Sequence, residues 1–111
     1  MKVHKMPVVC RFKFPEGLDK DTIEAQMALA IVAAECVFGQ AKVRISAGYC
    51  ITSHSQAEDS ERYQVAIDVS TDVGEFIAQV FTGLVIRQLG EDKFTVDRVG
   101  SEEQLKGAGQ Q

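Results

Sequence analysis

The chain has 111 residues, 45% of them apolar and 25% charged, with a formal net charge of −4. That length fits one domain able to bury a core without metal or disulfide staples, and no apolar run approaches the ~20 residues that span a bilayer. The acidic balance argues against general nucleic-acid binding, which carries a basic footprint, and the widely spaced Cys10, Cys36 and Cys50, with no C-x-x-C pair, argue against zinc or thioredoxin-like chemistry. An odd number of thiols fits a reducing compartment. The basic start, Met-Lys-Val-His-Lys-Met-Pro, leads into no signal-peptide apolar region. A cytosolic protein without a membrane partner is therefore expected.

Residues 1–7 read as a loose lead-in. Val8 to Phe14 alternates, with Val8, Cys10, Phe12 and Phe14 on one face and Val9, Arg11 and Lys13 on the other, as a half-buried strand does. Pro15-Glu16-Gly17 signals a turn. Asp21-x-x-Glu24 resembles a capping box, with Asp19 as a competing cap, and predicts a first helix running to about Phe38, where Gly39 stops it. Lys42 to Thr52 alternates again and predicts a second strand. It sets Val43, Ile45, Ala47, Tyr49 and Ile51 on one face, with Lys42, Arg44, Ser46, Gly48 and Cys50 on the other. Ser53 to Glu61 reads as a polar loop. Tyr63, Val65, Ile67 and Val69 mark a third strand, paired with the second as an antiparallel hairpin. Asp72-x-x-Glu75 opens a second helix over Val73 to Leu89, closed by Gly90. Lys93 to Val99 gives a fourth strand.

The resulting order, β-α-β-β-α-β, predicts an α+β domain over residues 1–99: a four-stranded antiparallel sheet with both helices on one face, the split or ferredoxin-like arrangement. Right-handed crossovers predict the strand order 4-1-3-2. Residues 100–111 read as a disordered tail.

The first helix carries more apolar surface than one docking face needs. At about 100° per residue, Ile23, Met27, Ala30, Ile31, Ala34 and Phe38 form one stripe. Leu29, Val32 and Cys36 form another on nearly the opposite side, and Asp21, Glu24 and Glu35 make a polar strip between them. A surface helix needs one stripe to dock on its own core, and a neighbouring helix covers only one flank. Leu29, Val32 and Cys36 are therefore expected to form an interface, most simply with a second copy of the chain. Ala25, Ala28 and Ala33 are small enough for close helix approach.

Signals for chemistry are sparse. An RNA-recognition sheet would place aromatics on the open face of the first and third strands, where this chain has Val9, Arg11 and Lys13, then Gln64, Ala66 and Asp68. Phe14-Pro15-Glu16-Gly17 lacks the paired cysteines of a metal carrier, and no Gly-rich phosphate cradle precedes either helix. His54, with Glu58 and Asp59 nearby, lies in the predicted loop without the held nucleophile and orienting acceptor that catalysis requires; His4 falls in the lead-in. Glu35, the lone charge between Met27 and Phe38, shares the polar strip with Glu24 and reads as solvated. No catalytic residue, metal site or cofactor is expected. Cys50 points to the open face and is the thiol most open to reagents.

The leading expectation is a non-catalytic binding protein that forms a homodimer. An alternative is a sensor or enzyme of the dimeric α+β type for a small anionic ligand, in which two facing sheets enclose a pocket lined by Arg11, Lys13, Arg44 and Gln64; on that face Asp68 and Asp97 are competing cross-strand partners for Arg11, Lys13, Lys42 and Arg44. A third reading is an inhibitor that captures a basic protein through Glu58, Asp59, Glu61, Glu91 and Asp92.

Overall fold

Alternation in Val-Cys-Arg-Phe-Lys produces β1 (Val9–Lys13), with Cys10 and Phe12 buried and Arg11 and Lys13 on the opposite face. The computed structural model describes residues 8–57 and 60–100, with backbone alone for 54–57, 60 and 61. After the Pro15-Glu16-Gly17 turn comes α1 (Lys20–Phe38). Its N-cap is Asp19, whose carboxylate accepts from the Asp21 N–H at 3.4 Å, so the competing cap prevails over the Asp21 box. Gly39, at φ 92°, ends α1 by donating its N–H to the Glu35 carbonyl. No β-carbon opposes that conformation.

The chain then departs from expectation. Residues 40–46 form a second helix, α2 (Gln40–Ser46), rather than the start of a strand. Over seven residues with apolar Val43 and Ile45, a period of two and a helical period are hard to distinguish. Gln40, Ala41, Lys42 and Arg44 are good helix formers. The turn closes through Val43 N–H to Gly39 O (3.2 Å) and Ala47 N–H to Val43 O (2.8 Å). Only Val43 reaches the core; Ile45 is 83% exposed.

Strands β2 (Tyr49–Ala57) and β3 (Ser60–Asp68) make a long hairpin. The loop expected over Ser53–Glu61 is largely strand: Ser53 pairs with Tyr63 and His54 with Arg62, with an irregularity between Ser55 and Ala57. Its polar composition is no obstacle, because strand pairing is made by backbone groups. Glu58 and Asp59 lie outside the described residues, as do His4 and the side chains of His54 and Glu61.

Helix α3 (Asp72–Leu89) follows, capped by Thr71 rather than Asp72: Thr71 Oγ1 accepts from Gly74 N–H at 3.1 Å and donates to Ser46 O at 3.4 Å, tying α3 to the end of α2. A short 3-10 turn (Glu91–Lys93) leads into β4 (Thr95–Val99). The tail expected from residue 100 lies outside the described residues except for Gly100, which is buried beside Val8.

All strand pairs are antiparallel and the sheet runs β2-β3-β1-β4, which is 4-1-3-2 read from the other edge. The fold is thus α+β, with three helices where two were expected. Helices α1 and α3 pack side by side over one face of the sheet, and Phe12 sits at the centre. Its ring meets Phe81 of α3 edge-on at 4.9 Å, and Phe14 and Phe94 extend the aromatic cluster. Among the described residues the core buries no polar or charged side chain, and no helix is long and apolar enough to cross a membrane.

Two glycines of α3 predict opposite outcomes for one substitution. A β-carbon on Gly74 would collide with the Asp68 carbonyl oxygen, whereas one on Gly83 meets nothing within 4 Å. Gly74→Ala is expected to destabilise by about 1–3 kcal/mol through overpacking. Gly83→Ala should stabilise by about 0.5–1 kcal/mol through helix propensity. Urea unfolding of both variants checks the pair: shifts of the same sign would contradict the α3 packing.

Candidate functional site

The structure settles which side of α1 faces the sheet. Ile23, Met27, Ala30 and Ala34 are buried, and Ile31 and Phe38 pack against them. The second stripe points away: Leu29 and Val32 are each 54% exposed, and Cys36 is exposed. Exposed Ala25 extends this stripe. Ala25, Leu29, Val32 and Cys36 follow at steps of four, three and four, the spacing by which one helix meets another along a seam. Ala28, also exposed, and partly buried Ala33 flank it. The three residues expected at an interface are therefore on one open surface, and α3 covers none of it.

Beside α1 lies a second feature that sequence reasoning missed. Lys20, Glu24, Met27 and Ala28 of α1, with Tyr49 and Ile51 of β2, line an open groove of about 420 Å³. Tyr49 and Ile51 lie opposite Ile67 and Val65, which are buried, so they belong to the core face of the sheet. They stand on the edge strand, however, where the helix layer stops, and Tyr49 remains half exposed. Alternation did assign both residues to the core face. The incomplete cover over them depends on helix position, which periodicity does not encode.

The other face of the sheet gathers only part of the expected anion site. Arg11, Lys13 and Gln64 share it, with Lys13 opposite Gln64 in register. Arg44 does not join them, because residues 40–46 are helical. Lys42 leaves the face for the same reason. Its Nζ donates to Asp72 Oδ2 at 3.1 Å and lies 5.1 Å from the centre of the Phe38 ring, which in turn meets Phe76 edge-on. Asp68 turns to its own loop, accepting from Ser70 N–H at 2.9 Å and Ser70 Oγ at 2.6 Å. Asp97 is set opposite Arg11 by the register. The ion pairs of the described residues, Lys20–Glu24, Lys42–Asp72, Arg62–Glu16 and Arg98–Glu75, leave Arg11 and Lys13 out.

Cys10 is buried, whereas Cys36 and Cys50 are exposed, and no disulfide joins them. Glu91 and Asp92 are exposed in the 3-10 turn. Among the described residues, no three His, Cys, Asp or Glu side chains come together as metal ligands.

No family model and no curated protein sequence matches the chain. Among solved structures, the de novo designed protein Foldit4 superposes with a TM-score of 0.54 over 86% of this chain and 97% of its own, at 6% identity. That likeness shows the fold alone. The de novo designed Ferredog-Diesel gives a TM-score of 0.41 at 13% identity, covering 87% of this chain and 89% of its own.

Among the described residues, Asp72 has a shifted titration. The Lys42 hydrogen bond, with smaller help from the lysine charge and the Val73 and Asp72 N–H groups, holds the Asp72 carboxyl below its ordinary value, against a partial desolvation that raises it. A carboxylate depressed in the folded state stabilises the fold above its unfolded pKa, and that contribution disappears as pH falls through the folded pKa. Lys42→Met is expected to move the Asp72 titration upward in a carboxyl-carbon NMR experiment. An unchanged titration would assign the depression to the backbone donors instead.

Proposed function

We propose that this chain is a non-catalytic binding protein that self-associates through the outward face of α1, and that its fold is the ferredoxin-like split β-α-β-β-α-β plan with α2 inserted after the first helix. The observation that carries the functional reading is the seam of Ala25, Leu29, Val32 and Cys36, which stays open to solvent after the chain has buried its own core. A second copy presents the same seam, and small Ala28 and Ala33 let two such helices approach closely. Three cysteines with no disulfide among them support a reducing, cytosolic setting.

The energetics limit such a pair to a weak, concentration-dependent dimer. Fully burying a Leu or Val side chain contributes roughly 1.5–3 kcal/mol, so removing the exposed half of Leu29 and Val32 gives about 1 kcal/mol per side chain. Over two copies that is about 4 kcal/mol, which only matches the low end of the ~4–15 kcal/mol cost of association, so a stable pair must also draw on the rest of the seam.

Val32→Glu tests the reading. Sedimentation velocity is expected to show a monomer at concentrations where the parent chain is a dimer, with an unchanged circular dichroism spectrum because Val32 is not part of the core. A variant that keeps the dimer mass would remove the seam from the interface.

A further inference from the structure

Strand β2 is an edge strand with little edge protection. Its nine residues, Tyr-Cys-Ile-Thr-Ser-His-Ser-Gln-Ala, include no Lys, Arg, Asp, Glu or Pro. The opposite edge, β4, carries Asp97 and Arg98 within five residues. Charges, prolines and short lengths are the usual means by which a sheet edge avoids pairing with another chain, and β2 has only an irregularity at its far end.

The backbone at this edge faces out beside the groove. The Asp68 N–H donates to Gly48 O at 2.8 Å, so Gly48 directs its pairing toward β3. Antiparallel alternation then turns Cys50 and Thr52 toward β3 and leaves the N–H and C=O groups of Tyr49, Ile51 and Ser53 on the free edge. Tyr49 and Ile51 also floor the 420 Å³ groove, with Met27 and Ala28 behind them. An added strand would find both halves of a β-augmentation site here, backbone partners and a pocket for alternate side chains.

The charge of the groove selects the occupant. Glu24 lines it. Glu35 lies eleven residues further along α1, about 20° away on the helix surface, and exposed Asp21 is on the same flank. Lys20, which also lines the groove, is paired with Glu24 at 3.7 Å, so Asp21 and Glu35 give the flank its net negative charge. A second copy meeting this edge about a two-fold axis would set the acidic flank against itself. We propose that β2 accepts an extended segment of a partner protein as a fifth strand. The segment would place an apolar side chain in the groove and Lys or Arg two residues to either side, within reach of the acidic flank. This site lies on a different flank of α1 from Leu29, Val32 and Cys36, with Ala28 at the border of the two.

The test is a titration followed by amide NMR in the Val32→Glu background, which removes self-association through the seam. The probe is the heptapeptide Thr-Lys-Thr-Val-Thr-Lys-Thr, whose two Lys and Val residues fall on one face of a strand. Expected are shift changes confined to residues 49–53 and 20–28, and slowed exchange of the Ile51 and Ser53 amides. Replacing both lysines of the peptide by Glu should weaken binding by about tenfold or more, a loss of 1.4 kcal/mol per tenfold. In the protein, Ser53→Pro deletes an outward N–H that an edge strand can spare, so it should abolish binding while preserving the fold. Equal binding of the two peptides, binding that survives Ser53→Pro, or no response of residues 49–53 at millimolar peptide would each overturn the proposal. Concentration-dependent protection of those amides without peptide would assign the edge to a second copy and overturn it too.

Discussion

A helix can turn only one side to a sheet. Here that side must cover Phe12, the ring at the centre of the core, and the geometry around Phe12 governs the rest of the molecule. Phe81 meets it from α3 at 4.9 Å, Phe14 and Phe94 extend the cluster along the sheet, and α1 fills the remaining space with Ile23, Met27, Ala30 and Ala34. Once α1 is committed to those four, its opposite stripe has nowhere to go within the chain. Leu29 and Val32 stand out from the helix layer because the burial of Met27 and Ala30 puts them there.

The same commitment limits how far the helix layer reaches. Two helices lie over four strands, and β2 sits at the margin. Tyr49 and Ile51 carry the side chains of a core face without a full roof. The two unusual surfaces of this protein, an outward apolar seam and a groove at an open strand edge, both follow from where α1 lies. One side of α1 holds the core, a second faces outward along the seam, and a third flanks the β2 edge with Glu24 and Glu35.

Much of this was legible in the residues, and the failures have physical causes. The two stripes of α1 could be counted from spacing, because a 19-residue helix samples its wheel five times. The alternation of β1 and β3 identified Phe12, Val65 and Ile67 as core. By contrast, seven residues after Gly39 could not be told from a strand, and that error moved Lys42 and Arg44 from α2 onto the open sheet face. With that error corrected, Arg44 leaves the face expected to hold the anion site. The long hairpin was missed because Ser, His and Gln pair through their backbones as readily as apolar residues do, while composition records only side chains. The groove was hidden for a different reason: its walls come from α1 and β2, and only the placement of one over the other creates it.

If a second copy covers the seam of α1, the mass of the protein in solution depends on its concentration. Light scattering on a sizing column at two concentrations measures that mass on an absolute scale. The expected result is a mass that rises from one chain toward two as concentration increases. A mass of one chain at both concentrations, including the highest at which the protein stays dispersed, would contradict self-association through the seam.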